Sequence, residues 1–193
     1  MSLSSSSPPR DPPAPPEAET ETMRRVAAGD GEALRTLVVR WQRPLLGFFR
    51  RLVGSAETAE DLALEVFVRV HRAAPGYAPT ARFSTYLFAI AHRLALNELR
   101  RRGRKPAEPV APDAFDHLAA TSAEERRLGE LEEVFQLALA RLAPKARTAL
   151  LLIAQQGLSY EEAAVALRSN PNAVRVLVHR ARQELKMHME ELS

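Results

Sequence analysis

Residues 159–185 read SYEEAAVALRSNPNAVRVLVHRARQEL, and two helix-like runs meet there at RSNPN. Ser159 and Glu162 form a capping box, in which each side chain satisfies the other residue's backbone donor, so a short helix is expected to run to Leu167. Asn170 then supplies a cap and Pro171 a first helical residue, whose missing N–H costs nothing there. In the second run Val174, Val178, Ala181 and Leu185 share one face and belong to a core. The opposite face presents Asn172, Arg175, His179 and Arg182 to solvent. Two architectures fit: an αα-hairpin whose basic face confers solubility, or a helix-turn-helix whose second helix enters DNA. An α-helix fits the major groove, where amide and guanidinium groups read base edges and arginines neutralise phosphates.

The rest of the chain narrows the choice. Its 193 residues are 46% hydrophobic and 26% charged, which is ordinary for a globular protein and allows one medium domain or two small ones. Glycines number 8 and aromatics are 6%, which disfavours all-β and Gly-rich nucleotide-binding architectures. There is no cysteine, so disulfides and thiolate metal sites are excluded, and a reducing cytoplasm is expected. The net charge of +3 is small, so the distribution of basic residues matters more than their sum. No apolar run is long enough to span a bilayer, and the N-terminus lacks the apolar core of a signal peptide. Six of the first sixteen residues are proline, and residues 1–18 read as a disordered, partly polyproline tail.

Helical signals follow one another with almost no strand pattern, so the expected class is all-α. A helix near residues 19–28 stops at Gly29, and Asp30 caps the next, which Pro44 is expected to kink or split. Gly54 and Ser55 mark another stop and start, after which Leu62, Val66 and Val70 line one face. Pro75 and Gly76 end that helix, GYAPTAR is a loop, and Ser84 is the expected cap of a helix with Leu87, Ile90, Ala91 and Leu94 buried. Residues 103–121, with Gly103, Pro106, Pro109 and Pro112, form a flexible linker and the best domain boundary. It divides a first helical domain, 19–102, from a second, 122–193, that begins with a Ser122–Glu125 capping box and ends in the helix-turn-helix.

Two further constellations carry chemistry. Tyr86, Arg93, Asn97 and Arg100 share the face away from the apolar stripe, and Arg101, Arg102, Arg104 and Lys105 extend it. An aromatic among amide and basic groups suits a single strand whose bases stack, although cations also gather at helix C-termini to meet the dipole. In AEDLALEVFVRV, Asp61 and Glu65 lie one turn apart. Without a pocket glycine or partner histidine they read as a solvated acidic edge, or as part of a protein-docking patch, rather than as an acid–base pair. Phosphate-loop, nucleophile-elbow and H-E-x-x-H patterns are absent and the histidines lack metal-ligand spacing, so neither an enzyme, a cofactor nor a metal is expected.

These stretches, in this order, resemble the extracytoplasmic-function branch of the bacterial sigma-70 family over about residues 21–186. AEDLALEVFVRV is similar to the family's polymerase-binding segment, ARFSTYLFAIAHRLALNELRRRGRK to its minus-ten region, and residues 142–186 to its region for the minus-thirty-five element. The resemblance implies two helical domains, binding to core RNA polymerase, and recognition of promoter DNA, double-stranded upstream and single-stranded at the minus-ten element. It implies polymerase contacts at Asp61, Glu65, Val66 and Arg69. The loop at 76–84 would cradle an unstacked base, with Tyr77, Arg82, Ser84, Tyr86, Arg93, Asn97, Arg100 and Arg101 on the minus-ten strand. Asn172, Arg175, His179, Arg180 and Arg182 would face the upstream element.

An anti-sigma protein is a further implied partner, and a linker of this kind would let the halves close on it or on each other, hiding both DNA faces. The rival function is a stand-alone helix-turn-helix regulator that acts without polymerase. Against the family pattern, Leu64 stands where glutamine is usual and Arg168 where the turn usually has glycine. Pro171-Asn172-Ala173 and Arg175-Val176-Leu177 replace the usual start of the recognition helix, so a different upstream sequence preference is expected.

Overall fold

The computed structural model describes residues 16–103 and 123–192, and among these there are eight α-helices and no strand. The helices are α1 (Pro16–Ala27), α2 (Gly31–Val53), α3 (Ala56–Ala73), α4 (Phe83–Gly103), α5 (Ala123–Arg141), α6 (Pro144–Ala154), α7 (Tyr160–Leu167) and α8 (Pro171–Leu192). A short 3₁₀ turn, Ala74–Gly76, follows α3. The expected tail to residue 18 is shorter here, because α1 already begins at Pro16, a residue suited to a first helical position. Most of that tail, all of the linker after Gly103 and the side chains of the Ser122–Glu125 capping box lie outside the described residues.

Local signals set most boundaries. Asp30 caps α2 by accepting from the Glu32 and Ala33 amides at 2.9 and 3.2 Å, and Arg25 holds the same carboxylate from α1 at 2.6 Å. Gly54 ends α2 in the left-handed region at φ 73°, where a side chain would be strained, and Ser55 caps α3 at once. Pro44 neither splits nor ends α2. Leu37 before it and Leu45, Phe48, Phe49 and Leu52 after it are all buried, and this packing holds one continuous helix against the missing donor. Ser84 does not cap α4, which starts two residues earlier than such a cap would set, at Phe83, because Phe83 is drawn into the core and the Tyr86 amide bonds the Arg82 carbonyl at 3.2 Å.

The first core is aromatic. Phe48 meets Phe49 and Phe88 edge-on at 5.6 and 5.2 Å, and Trp41 meets Phe88 at 6.2 Å. Fully burying each phenylalanine contributes about 2–3 kcal/mol. Arg102, expected to extend the basic stripe, instead fastens the end of α4 to the α2–α3 junction. It donates to the Val53 carbonyl at 2.7 Å, to Thr58 Oγ1 at 2.6 Å and to Glu98 at 2.8 Å.

The second unit is built around α6, whose residues Ala146 to Leu152 are buried without interruption. A helix apolar on every side is a helix surrounded by others. It packs on α8, α7, α2 and α4, so the two units meet across it and share one apolar cluster. Arg147, buried within it, donates to the Leu52 carbonyl at 2.9 Å and to the Ala140 and Leu142 carbonyls at 2.8 and 3.3 Å.

The turn between α7 and α8 explains its missing glycine. Arg168 occupies the left-handed region at φ 48°, ψ 55°. Its amide bonds the Val165 carbonyl at 3.2 Å and that of Ser169 the Ala164 carbonyl at 2.9 Å, the two bonds of a Schellman motif. The turn geometry is therefore kept while a Cβ is strained at its tightest residue. Substituting Arg168→Gly is expected to raise stability by about 0.5–1 kcal/mol, after the larger unfolded-state entropy of glycine is subtracted. A rightward shift of the urea midpoint at constant slope checks it.

Candidate nucleic-acid and polymerase interfaces

The α8 residues singled out in the sequence lie on the surface. Asn172, Arg175, His179, Arg180 and Arg182 are exposed, while Val174, Val178 and Ala181 are buried. Asn170 caps the helix by accepting from the Ala173 amide at 2.8 Å. Arg175 donates to Asn172 Oδ1 at 3.0 Å and stacks over Tyr160 at 5.0 Å, so both of its sides are braced before any ligand arrives. Val176, half exposed on the same face, was missed, since an apolar residue in a helix reads as core until its neighbours fix the face.

The loop after α3 and the start of α4 form an aromatic nest. Tyr77 meets Tyr86 edge-on at 5.1 Å and Phe83 at 6.5 Å, and Phe83 lies 6.0 Å from Trp41. Burial raises both phenol pKa values, so the hydroxyls stay protonated donors at neutral pH. Glu19 of α1 is buried beside this nest, 3.4 Å from Arg40, and desolvation raises its pKa against the pull of that arginine.

Further along α4, Arg93, Asn97 and Arg100 are exposed and aligned, and Ser84 sits partly buried in the first turn. Arg93 donates to its own helix at the Ala89 carbonyl, 3.1 Å. Arg101 is committed elsewhere, to both oxygens of Glu98 at 2.7 and 2.8 Å. Hydrogen bonds from Arg101, then from Arg102, pull Glu98 down to about 2.

On α3, Asp61 and Arg69 are exposed, and Arg69 pairs with Glu65 at 2.7 Å. Val66 is fully buried among core residues and offers nothing to a partner while α3 is folded. The apolar group that α3 does present is Leu64, 65% exposed between the two carboxylates. Its exposure is the signal that periodicity could have given, since it falls off the Leu62–Val66–Val70 stripe.

The two units hold each other, but not as expected. Arg82 of the nest pairs with Glu162 of α7 at 3.4 Å, and α4 packs along α7. The α8 face stays exposed, while α7 covers part of the α3–α4 loop and α4. Among the described residues no group of three His, Asp or Glu could hold a metal, and no helix is long and apolar enough to cross a membrane.

Known families match both units. The Sigma-70 region 2 family matches residues 37–105, and the Sigma-70 region 4 family matches residues 132–185. The RNA polymerase sigma-H factor of Pseudomonas aeruginosa is 33% identical over 185 residues, covering 91% of this chain and 96% of the relative. The ECF RNA polymerase sigma-E factor of Haemophilus influenzae is 30% identical over 179 residues, covering 88% and 94%. This chain belongs to the extracytoplasmic-function (ECF) branch of the sigma-70 family.

The solved structures agree on fold. CnrH in complex with the cytosolic domain of CnrY gives a TM-score of 0.67 at 24% identity, covering 91% of this chain and 99% of that one. The Bartonella quintana sigma factor RpoE, in complex with the anti-sigma factor NepR, gives 0.65 at 22% identity, covering 81% and 96%. A sigma factor carrying both regions in order leaves the rival, a stand-alone regulator with only the helix-turn-helix, without support.

One electrostatic feature of this ECF sigma factor is testable directly. His92 on α4 is buried, and desolvation, then Lys145, Arg93 and Arg100, lower its pKa from 6.5 to about 4. Unfolding exposes an imidazole that binds a proton more readily, so His92 favours the folded state fully above pH 6.5 and loses that contribution as pH falls toward 4. Between pH 7 and pH 5 the wild type should lose more stability than His92→Gln, read as the difference in urea midpoints.

Proposed function

We propose that this sigma factor binds core RNA polymerase and directs it to promoters through two surfaces. Residues 19–102 act as the region 2 unit, 122–193 as the region 4 unit and 103–121 as the linker. The observation that carries the reading is the pairing, in one chain, of an aromatic–amide–arginine face on α4 with a braced amide–arginine face on α8. Duplex readout needs the second, since a helix in the major groove presents Asn172, Arg175 and His179 to base edges while Arg180 and Arg182 meet phosphates. Strand capture needs the first. Tyr77 and Tyr86 offer ring faces for an unstacked base, and Arg93, Asn97 and Arg100 follow the strand. Arg82 joins them once Glu162 releases it, and Ser84 lines the entrance. Arg101, held by Glu98, contributes positive potential rather than direct contact.

Polymerase docks on α3 through Asp61, Glu65 and Arg69, with Leu64 in the apolar role that Val66 was expected to fill. An apolar residue where relatives carry glutamine makes this contact depend more on desolvation and less on hydrogen bonding. An anti-sigma partner is part of the reading, supported by the two structural neighbours, each solved with a bound partner, one of them named an anti-sigma factor. The chain does no chemistry of its own and acts where polymerase acts, in the cytoplasm.

Reconstituted transcription tests this. Core polymerase with the wild-type chain should give promoter-dependent transcripts from genomic fragments, and their absence on every template would sink the reading. Replacing Arg175 and His179 by alanine should weaken upstream contacts by about 1–3 kcal/mol per lost base contact while polymerase binding persists. Replacing Tyr86 and Asn97 should leave closed-complex binding and abolish strand opening, read by permanganate reactivity of unpaired thymines.

A further inference from the structure

Asn172 and Arg175 stand three residues apart on one face of α8, and Arg175 Nη1 donates to Asn172 Oδ1 at 3.0 Å. A guanidinium carries donors only, so the amide atom that meets it is the oxygen, and the Asn172 NH2 group is left for other partners. The other side of Arg175 is closed by Tyr160, the first residue of α7, whose ring centroid lies 5.0 Å from the guanidinium carbon. Tyr160 is itself half-buried and packs against the apolar cluster, so it is a fixed platform rather than a second mobile side chain. Stacking on a ring leaves the N–H edge of an arginine free. The exposed start of α8 therefore offers N–H donors from both side chains, with the one acceptor between them turned to the arginine.

We infer that Tyr160 is a positioning residue for upstream readout, holding Arg175 and Asn172 as one donor unit that selects guanine and rejects adenine and cytosine. This rests on the duplex-reading role proposed above for α8. Guanine offers N7 and O6 to such donors, whereas adenine sets an amine beside its one acceptor and cytosine offers an amine alone. An asparagine that reads adenine uses its oxygen to accept from that amine. Here the oxygen already serves Arg175, and an amine reaching for it would be brought against the guanidinium N–H groups. A loose arginine also satisfies itself on phosphates, which carry no sequence information. Fixing the side chain on Tyr160 means that its ordering entropy is lost on folding rather than on binding, which favours the one pose that reads a base edge. Asn172 lies in the part of α8 that departs from the family pattern, so the unit is a feature of this chain.

The test uses the full chain assembled with core RNA polymerase and a promoter library randomised over the upstream element, with bound and unbound DNA sequenced. The position read by Arg175 is the one at which Arg175→Ala loses selectivity. There the wild type should enrich guanine over adenine about tenfold, within the range of one good bidentate contact. Tyr160→Leu keeps an apolar side chain against the core but removes the ring face, so the preference should fall to about threefold, the share of an exposed cation–π contact. Binding to non-specific duplex and its salt dependence should stay unchanged, because the phosphate contacts are untouched. Tyr160→Phe keeps the ring and should restore the wild-type preference. If Tyr160 only supports the fold, Tyr160→Leu will weaken all sequences alike, and that result overturns the inference. So does a failure of Tyr160→Phe to rescue, or a wild-type preference for adenine or cytosine at this position. A wild type with no upstream preference at all overturns the duplex-reading role itself, whereas a clear preference that Tyr160→Leu leaves intact overturns only the part assigned to Tyr160.

Discussion

The carbonyl ends of two helices converge on one guanidinium. Arg147 donates to the Leu52 carbonyl at the end of α2, to the Ala140 carbonyl in the last turn of α5 and to the Leu142 carbonyl just beyond it, carbonyls at helix ends that lack helical donors. A cation at a helix C-terminus is favoured by the dipole, and here it serves two dipoles at once. Burial nonetheless penalises the charge and lowers the Arg147 pKa, although arginine stays protonated at any relevant pH. A buried cation tolerates this only with several acceptors in place, and removing one leaves it under-compensated. The placement of α5, α6 and α2 relative to one another is therefore coupled: shifting any of them breaks a charge-assisted bond in the dry centre of the molecule.

That coupling is what the sequence hid. Caps, stops and stripes are local, and those at Asp30, Gly54, Ser55, Ser159, Asn170 and Pro171 were all legible, because each needs only its neighbours within a turn. The exposed face of α8 followed from one periodic valine pattern. Failures came where tertiary burial outweighed a local signal. Phe83 moved the start of α4 and apolar packing carried α2 through Pro44, whereas Val66 lies inward on the Leu62–Val66–Val70 stripe that periodicity had drawn, against the surface contact that the resemblance implied for it. The run PKARTALLLIA gave no clear face, since α6 has none: every side of it meets another helix. Arg101 and Arg102 read as a continuation of a basic stripe, yet Glu98, three and four residues before them, turns both toward itself.

The departures from the family pattern also acquire physical meaning. Arg168 shows that the turn of the helix-turn-helix requires a left-handed residue and not glycine as such, and the Schellman bonds hold it there. On α8, Val176 exposes an apolar group among polar ones, a group of the kind that can meet a thymine methyl. Leu64 does the same on α3. In both places an apolar side chain stands exposed among polar ones, where contact with another surface would rest on shape and desolvation more than on hydrogen-bond matching.

Arg82 forms the surface ion pair between the units, and its energetics are modest. Its partner is Glu162, a carboxylate already anchored by the Ser159 amide at 2.8 Å in the α7 capping box. The pair is 3.4 Å apart with the Arg82 side chain 58% exposed, a geometry in which salt bridges contribute about 0–1 kcal/mol. A phosphate offers Arg82 at least as much, with bidentate geometry and release of condensed counterions. Exchanging carboxylate for phosphate is thus close to neutral or favourable, and Glu162 keeps its capping role afterwards. The exposed ion pair therefore contributes little to holding the units together, and the buried charge-assisted bond from Arg147 to Leu52 is the stronger polar contact.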